Sequence, residues 1–296
     1  MGPMIVSASR RCDLPAFAMD WFTARLDAGY CLVRNPFDAR RFRRVPLVPE
    51  SVECFAFWTR DPRPLLDRAD GLERRGFSFL TQVTITGYPQ ALEPGVPATA
   101  AALAAFVALA ARRGPEAVVW RYDPIILAGR GGPGSKAAPD LDRDFHLRNF
   151  SALAAALEGS CRRVVLSLLD EYRGTRTRLA GAGWRRPGFG PSDAALALAA
   201  ELAAIARSRG MEPRSCAEPA LLAAAGIEPG PCLDAELLSR IAGRPLPAGR
   251  DPGQRPDCRC CPSVDIGAYG ACPAGCAYCY ARRGEARAAD PATEAL

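Results

Sequence analysis

Short apolar runs alternate with stretches of helical periodicity along most of the chain. Runs at 4–7, 30–33, 54–58, 77–86, 117–122, 163–169 and 212–216 have the length of buried strands. Between them, apolar positions recur at helical spacing. In the first such stretch Phe17, Trp21, Phe22 and Leu26 share a face, Pro15 opens the helix and Gly29 ends it. Further helices are predicted over 64–75, 99–113, 142–158, 192–207 (with Ser192 as N-cap) and 233–242. The Gly- and Pro-rich stretch 129–139 reads as a mobile loop, and a second loop over 181–190 holds Trp184, Arg185 and Arg186. Strand–helix alternation of this kind predicts a parallel sheet with crossover helices.

Polar residues gather at the carboxyl end of each predicted strand: Ser7 with Arg10 and Arg11, Arg34 with Asn35, Thr59 with Asp61, Thr84 with Thr86, Arg121 with Asp123, Ser167 with Asp170, and Cys216 with Glu218. In a (βα) barrel such ends converge on one mouth, where active sites lie. Polar turns after strands give part of this pattern by themselves. The fold expected is α/β, a partial or full (βα) TIM-like barrel. Within it Arg121, Asp123 and Glu218 are read as catalytic, and Arg10, Arg11, Thr84 and Ser167 as cofactor-binding. An internal Arg121–Asp123 salt bridge is the plainer alternative. Buried arginines such as Arg10 or Arg121 need partners, and Asp13, Asp123 and Glu218 offer carboxylates. A bound anion, gripped by the guanidinium fork, is the other solution.

Composition narrows the chemistry. His146 is the only histidine, so a zinc hydrolase with several histidine ligands is excluded; its place in a predicted helix suits a surface or packing role. No Gly-x-Gly-x-x-Gly follows the first strand and no Gly-x4-Gly-Lys-Ser loop occurs, so neither nucleotide fingerprint is present. The net charge of +6 is carried by arginine, with Lys136 the single lysine, and it permits a phosphate-bearing partner; Arg40, Arg41, Arg43 and Arg44 form the densest run. Apolar residues make up 49%, enough for a large core, but no run reaches the roughly 18 residues of a membrane span. A cytoplasmic location is expected. There, clustered cysteines point to metal rather than disulfides.

Six of the twelve cysteines fall between residues 257 and 281. Cys272, Cys276 and Cys279 follow the spacing C-x3-C-x2-C, which can gather three thiolates around an iron–sulfur cluster. Cys258 and Cys260 are also read as metal ligands, either to a second metal, with Cys261 and Cys216 as companions, or by closing the main cluster. A zinc site of Cys258, Cys260, Cys276 and Cys279 is a further alternative. Cys12, Cys31, Cys54, Cys161 and Cys232 read as small core residues, with Cys12 the one near the mouth. The expected organisation is a barrel over 1–250, a cysteine-rich cluster-binding segment over 251–284, and a disordered tail over 285–296.

Cys272-Pro-Ala-Gly-Cys276-Ala-Tyr278-Cys279 resembles the hallmark of the radical S-adenosylmethionine superfamily, including the aromatic residue before the third cysteine. That resemblance implies a [4Fe–4S] cluster with one iron open to S-adenosyl-L-methionine, cleaved on reduction to a 5′-deoxyadenosyl radical, and a reductant such as flavodoxin or ferredoxin. Here the motif follows the strands instead of preceding them. A wider resemblance rests on Ser7-Ala-Ser-Arg-Arg-Cys-Asp-Leu-Pro15, Val33-Arg-Asn-Pro36, Phe57-Trp-Thr-Arg-Asp-Pro62, Trp120-Arg-Tyr-Asp-Pro-Ile125 and Ser263-Val-Asp-Ile-Gly-Ala-Tyr269, which look like domain-of-unknown-function family 1848. It implies an α/β region followed by a cysteine cluster and no particular reaction. The function expected is a radical S-adenosylmethionine-type enzyme acting on a small-molecule or nucleic-acid substrate. The alternative is a non-catalytic barrel stapled by zinc or a closed cluster, binding nucleic acid or another anionic partner.

Overall fold

β1 (Met4–Ala8) leads through two short helices, α1 (Leu14–Phe17) and α2 (Met19–Ala28), into a hairpin of β2 (Tyr30–Arg34) and β3 (Phe42–Pro46). β4 (Val52–Thr59), α3 (Arg63–Leu66), α4 (Ala69–Arg74), β5 (Phe79–Thr84), α5 (Thr99–Arg113) and β6 (Val118–Ile125) follow. Next come β7 (Gly129–Arg130), α6 (Arg143–Leu157), β8 (Arg163–Leu168), α7 (Thr175–Gly181), β9 (Trp184–Arg185), α8 (Asp193–Ser208) and β10 (Glu212–Ser215). The chain closes with α9 (Pro219–Ala225), α10 (Ala235–Ala242) and β11 (Val264–Asp265). This computed structural model describes residues 3–36, 38, 40–130, 140–185, 187–282 and 289–296. Of the loop expected over 129–139, Gly129 and Arg130 form β7, while 131–139, with Lys136, lie outside the described residues, as does Arg186.

Seven strands form one sheet in the order β10-β8-β6-β5-β4-β1-β11, every neighbour parallel. From β1 to β10 the spatial order follows the chain without reversal, and β11 pairs with the other edge of β1 through Val6↔Val264 and Ser7↔Asp265. Among the described residues the outer strands β10 and β11 do not pair with each other. Parallel strands covered on both faces read as nearly continuous apolar runs, which is how these runs were recognisable.

Side-chain size separates the two faces. Phe55, Phe57, Phe79, Trp120 and Tyr122 point to the layer of helices α2, α5, α6 and α8. There Phe22 meets Phe55 and Phe57 edge-on at 5.2 and 5.5 Å, and Trp120 stacks on Phe150 at 4.7 Å. The alternate positions Ile5, Cys54, Ala56, Leu80, Val119 and Val165 are smaller and face Leu237 and Leu238 of α10 with Cys260 and Cys261. Small residues on this face leave room for the last part of the chain to lie against it. Burying each of those leucines stabilises the fold by about 2–3 kcal/mol.

Several expectations need correction. The run at 30–33 is a strand, but it leaves the main sheet and pairs antiparallel with β3, from Tyr30↔Pro46 to Arg34↔Phe42. Gly29, at φ 75°, turns the chain sharply after α2, and of the arginine-rich β3 only Val45 is buried. Arg34 and Asn35 therefore do not join the strand ends of the sheet. The helix expected over 64–75 breaks into α3 and α4. Residues 289–296, expected to be disordered, dock instead: Leu32 N donates to Glu294 O at 2.8 Å, the Trp21 indole donates to Thr293 O at 2.9 Å, and Leu296 packs on the core. A buried indole N–H needs an acceptor, and the tail supplies it. No helix among the described residues is long and apolar enough to cross a membrane.

Candidate active site

The C-x3-C-x2-C segment forms a loop across the carboxyl ends of the sheet. Ala277 N donates to Leu92 O at 2.9 Å and Gly95 N donates to Ala274 O at 2.8 Å, both partners lying in the connection after β5. Arg178 of α7 donates to the carbonyls of Ala277 and Cys279 at 3.1 and 2.8 Å. The Tyr280 hydroxyl donates to Arg10 O, beyond β1. Gly275 turns the loop at φ 70°, where a side chain would be strained. Gly95 is required by closeness: a Cβ there would lie 2.7 Å from Ala274 Cα.

Within this loop Cys276 is buried, while Cys272 and Cys279 are half-buried. Burial pushes the Cys276 thiol up to about 12, with Arg60 opposing, and the Cys272 thiol up to about 11. Behind the loop, Arg60 Nη1 donates to Glu93 Oε1 at 2.7 Å, and the same oxygen accepts from Thr86 Oγ1 at 2.7 Å. The Tyr278 hydroxyl joins both Arg60 and Glu93. Burial works against the Arg60 cation, but Glu93 and Tyr278 hold it firmly protonated. Asp13 accepts from Arg60 N at 2.7 Å and caps α1 through Ala16 N at 3.0 Å; burial pushes its carboxyl up to about 6. A cleft lined by Arg60, Thr84, Thr86, Tyr88, Glu93 and Thr99 opens beside this network.

A second cluster occupies the inner face. Arg121 and Asp123 form the internal ion pair, and Ser167 also donates to Asp123. Burial pushes the Asp123 carboxyl up, but Arg121 and Ser167 outweigh it, so the net direction is down. Arg121 Nη1 also donates to Cys232 Sγ at 2.9 Å, and Gln82 Nε2 donates to Cys232 O at 2.8 Å. Glu218 accepts from Leu168 N at 3.3 Å; burial pushes it up to about 7 against that hydrogen bond. Asp170 pairs with Arg255 at 2.7 Å.

The residues predicted as catalytic or cofactor-binding thus fall into three groups. Arg121 and Ser167 both bond Asp123, with Glu218 close by. Thr84 lines the cleft instead. Arg10 and Arg11 gather around Asp265, which accepts from Ser7 Oγ, Ser9 Oγ, Arg10 N and Gly267 N at 2.6, 2.7, 2.8 and 3.0 Å. Arg10 also donates to Ser263 Oγ at 2.8 Å, and Arg11 lies over the Tyr269 ring at 5.5 Å. Their carboxylate partners are therefore Asp265 and, for Arg10, Asp251 at 4.0 Å, not Asp13, Asp123 or Glu218. A further group, Arg60, Glu93, Gln82 and Asp265, was missed; only Arg60 and Asp265 carried a signal, through the Phe57–Pro62 and Ser263–Tyr269 stretches.

Cys258 and Cys260 sit on the inner face near Cys232 and Cys216, away from the rim loop, so the four-thiolate set with Cys276 and Cys279 is not assembled. Cys232, expected as a core filler, is buried but bonded to Arg121. Among the described residues no three His, Cys, Asp or Glu side chains close around a point as metal ligands do. His146 is a packing histidine, fully buried.

The model of the Domain of unknown function family DUF1848 matches residues 5–281, from β1 through the rim loop. The chain belongs to the DUF1848 family. No curated protein matches this DUF1848 sequence. A solved structure described as "Inhibition of the pneumococcal virulence factor StrH and molecular insights into N-glycan recognition and hydrolysis" superposes with a TM-score of 0.25 and 9% identity, covering 71% of this chain and 51% of that one. The DUF1848 chain spans about half the length of that protein, and a superposition so loose carries no argument.

Proposed function

We propose that the protein is a radical S-adenosylmethionine-type enzyme, cytoplasmic, with its sheet curled as a TIM-like barrel and its [4Fe–4S] cluster held by Cys272, Cys276 and Cys279. The observation that carries this reading is the C-x3-C-x2-C loop laid across the carboxyl ends of the strands and pinned at Leu92 and Gly95. The donor set is of the type such a cluster uses: three soft thiols on one loop, one buried and two half-buried. When bound and reduced, such a cluster supplies the electron that cleaves S-adenosylmethionine.

The remaining work belongs to the chain. Tyr278, fixed by Arg60 and Glu93, screens the buried side of the loop from water. Thr84, Thr86 and Thr99 offer hydroxyls in the adjoining cleft for a polar ligand. Asp123, kept ionised by Arg121 and Ser167, presents a fixed negative charge on the inner face. A flavodoxin or ferredoxin would deliver the electron. Protein reconstituted anaerobically with iron and sulfide should bind about four irons at this site and release 5′-deoxyadenosine from S-adenosylmethionine when reduced. Cys276→Ser should abolish both. Wild-type protein that takes up no iron and sulfide would end the reading.

A second reading rests on the β2–β3 hairpin. Arg34, Arg40, Arg41, Arg43 and Arg44 are exposed there with Phe42, which is 47% exposed. A basic ribbon with an aromatic residue suits a nucleic-acid backbone. Retention on immobilised single-stranded DNA that falls with salt, and falls again in R43E/R44E, would favour it. Retention unaltered by salt would exclude it.

A further inference from the structure

Four thiols from three stretches of chain meet on the inner face. Cys216 follows β10, Cys232 precedes α10, and Cys258 with Cys260 lies in the returning segment. The sulfurs of Cys216 and Cys232 are 3.4 Å apart. Cys260 accepts from Leu233 N, the residue after Cys232, and Cys258 and Cys216 pack in the same cluster, so the four side chains gather in one place. Tetrahedral zinc, with Zn–S near 2.3 Å, sets its sulfurs about 3.8 Å from one another. That is the spacing of sulfurs in contact. The thiolates of a cubane, each on its own iron, stand wider apart.

Two further contacts orient the sulfurs. Arg121 aims Nη1 at Cys232 Sγ from 2.9 Å, and Leu233 N donates to Cys260 Sγ at 3.4 Å. N–H donors aimed at sulfur are the outer contacts that hold a metal-bound thiolate in place. Next to Cys216, Ala217 adopts φ 55°, a left-handed conformation rare outside glycine, and the turn directs Cys216 toward Cys232. The group is open as it stands. Cys216 and Cys258 are both partly exposed, at the edge of the group, where their side chains have room to turn inward.

We propose that Cys216, Cys232, Cys258 and Cys260 bind one zinc ion, at a centre separate from the rim loop. Four thiolates select a soft ion over a hard one. Together with the dication they carry a net charge of −2, which Arg121 partly offsets through its hydrogen bond to Cys232 Sγ. The ion staples the returning segment to β10 and fixes Arg121, which in turn positions Asp123.

Zinc and iron are counted per chain, by mass spectrometry of the elements, in anaerobically purified full-length protein and in Cys232→Ser, Cys260→Ser and Cys272→Ser. Chelator-stripped wild-type protein is also titrated with Co2+. We expect one zinc per chain in wild type and in Cys272→Ser, and at least a tenfold loss in the other two. Co2+ should saturate at one equivalent with the intense visible bands of tetrahedral cobalt thiolate. That spectrum needs no substitution, so a misfolded variant cannot hide the answer. Absence of both zinc and the cobalt spectrum overturns the proposal. So does zinc retained in both Cys232→Ser and Cys260→Ser, or a Cys216–Cys232 disulfide in the anaerobic wild type. Iron lost from Cys272→Ser bears on the rim loop alone and leaves this site standing.

Discussion

His146 is held by two hydrogen bonds that fix its tautomer. Nε2 lies 2.9 Å from the Ile126 carbonyl, which can only accept, so Nε2 carries the proton. Nδ1, 2.8 Å from the Tyr122 hydroxyl, therefore accepts. Burial lowers the imidazole from 6.5 to about 4. Between those values the unfolded chain binds a proton that the folded one refuses, so the histidine's contribution to stability rises with pH across the window and is lost as pH falls from about 6.5 to 4. The full contribution is about 3 kcal/mol. Asp13 and Glu218, raised by burial, titrate in the same window with the opposite sign. The histidine's share is therefore read by urea unfolding at steps across this range as the stability difference between wild type and His146→Gln, which should shrink by about 3 kcal/mol as pH falls. At this scale the sequence was readable where partners are neighbours. Arg121 and Asp123, two apart on one strand, share a face. The partner of Arg10 was not readable, because Asp265 lies 255 residues away and only the returning β11 brings it near.

Elements with a clear period were legible. The helix expected over 99–113 forms over those residues, and Ser192 caps α8 by accepting from Ala195 N at 3.3 Å. What escaped were elements too short for a period, such as the two-residue β11, and the β2–β3 pairing, which is set by the turn at Gly29 rather than by pattern. The rim loop depends on a close approach that no periodicity records. Gly95→Ala would place a methyl 2.7 Å from Ala274 Cα, and backbone cannot yield as a side chain can. We expect a loss of about 1–3 kcal/mol, read by thermal unfolding. Iron uptake by the rim loop should fall in parallel, while zinc content stays at the wild-type level.

For the whole molecule, the alternation of strands and helices announced the α/β class and the single parallel sheet, but not how the last third of the chain would be used. Residues 289–296 return to α2 and β2, covering the Trp21 indole. Deleting them should leave that N–H without its acceptor and expose apolar surface of the core, at a cost of about 1–3 kcal/mol. This would register as a melting temperature several degrees lower with unchanged zinc. A melting temperature equal to that of the full chain would show that the tail contributes nothing to stability.

The segment bearing α10, Cys260 and β11 lines the interior of the sheet, yet it is the last of the sheet-forming chain to be translated. While it is still inside the ribosome, the nascent protein can complete its outer helical layer but exposes Leu80, Val119 and Val165 to water. That surface is sealed only once this segment has emerged. A premature stop codon ahead of residue 230 would leave a product with all its crossover helices and one greasy, uncovered sheet face, a natural client for chaperones and proteases.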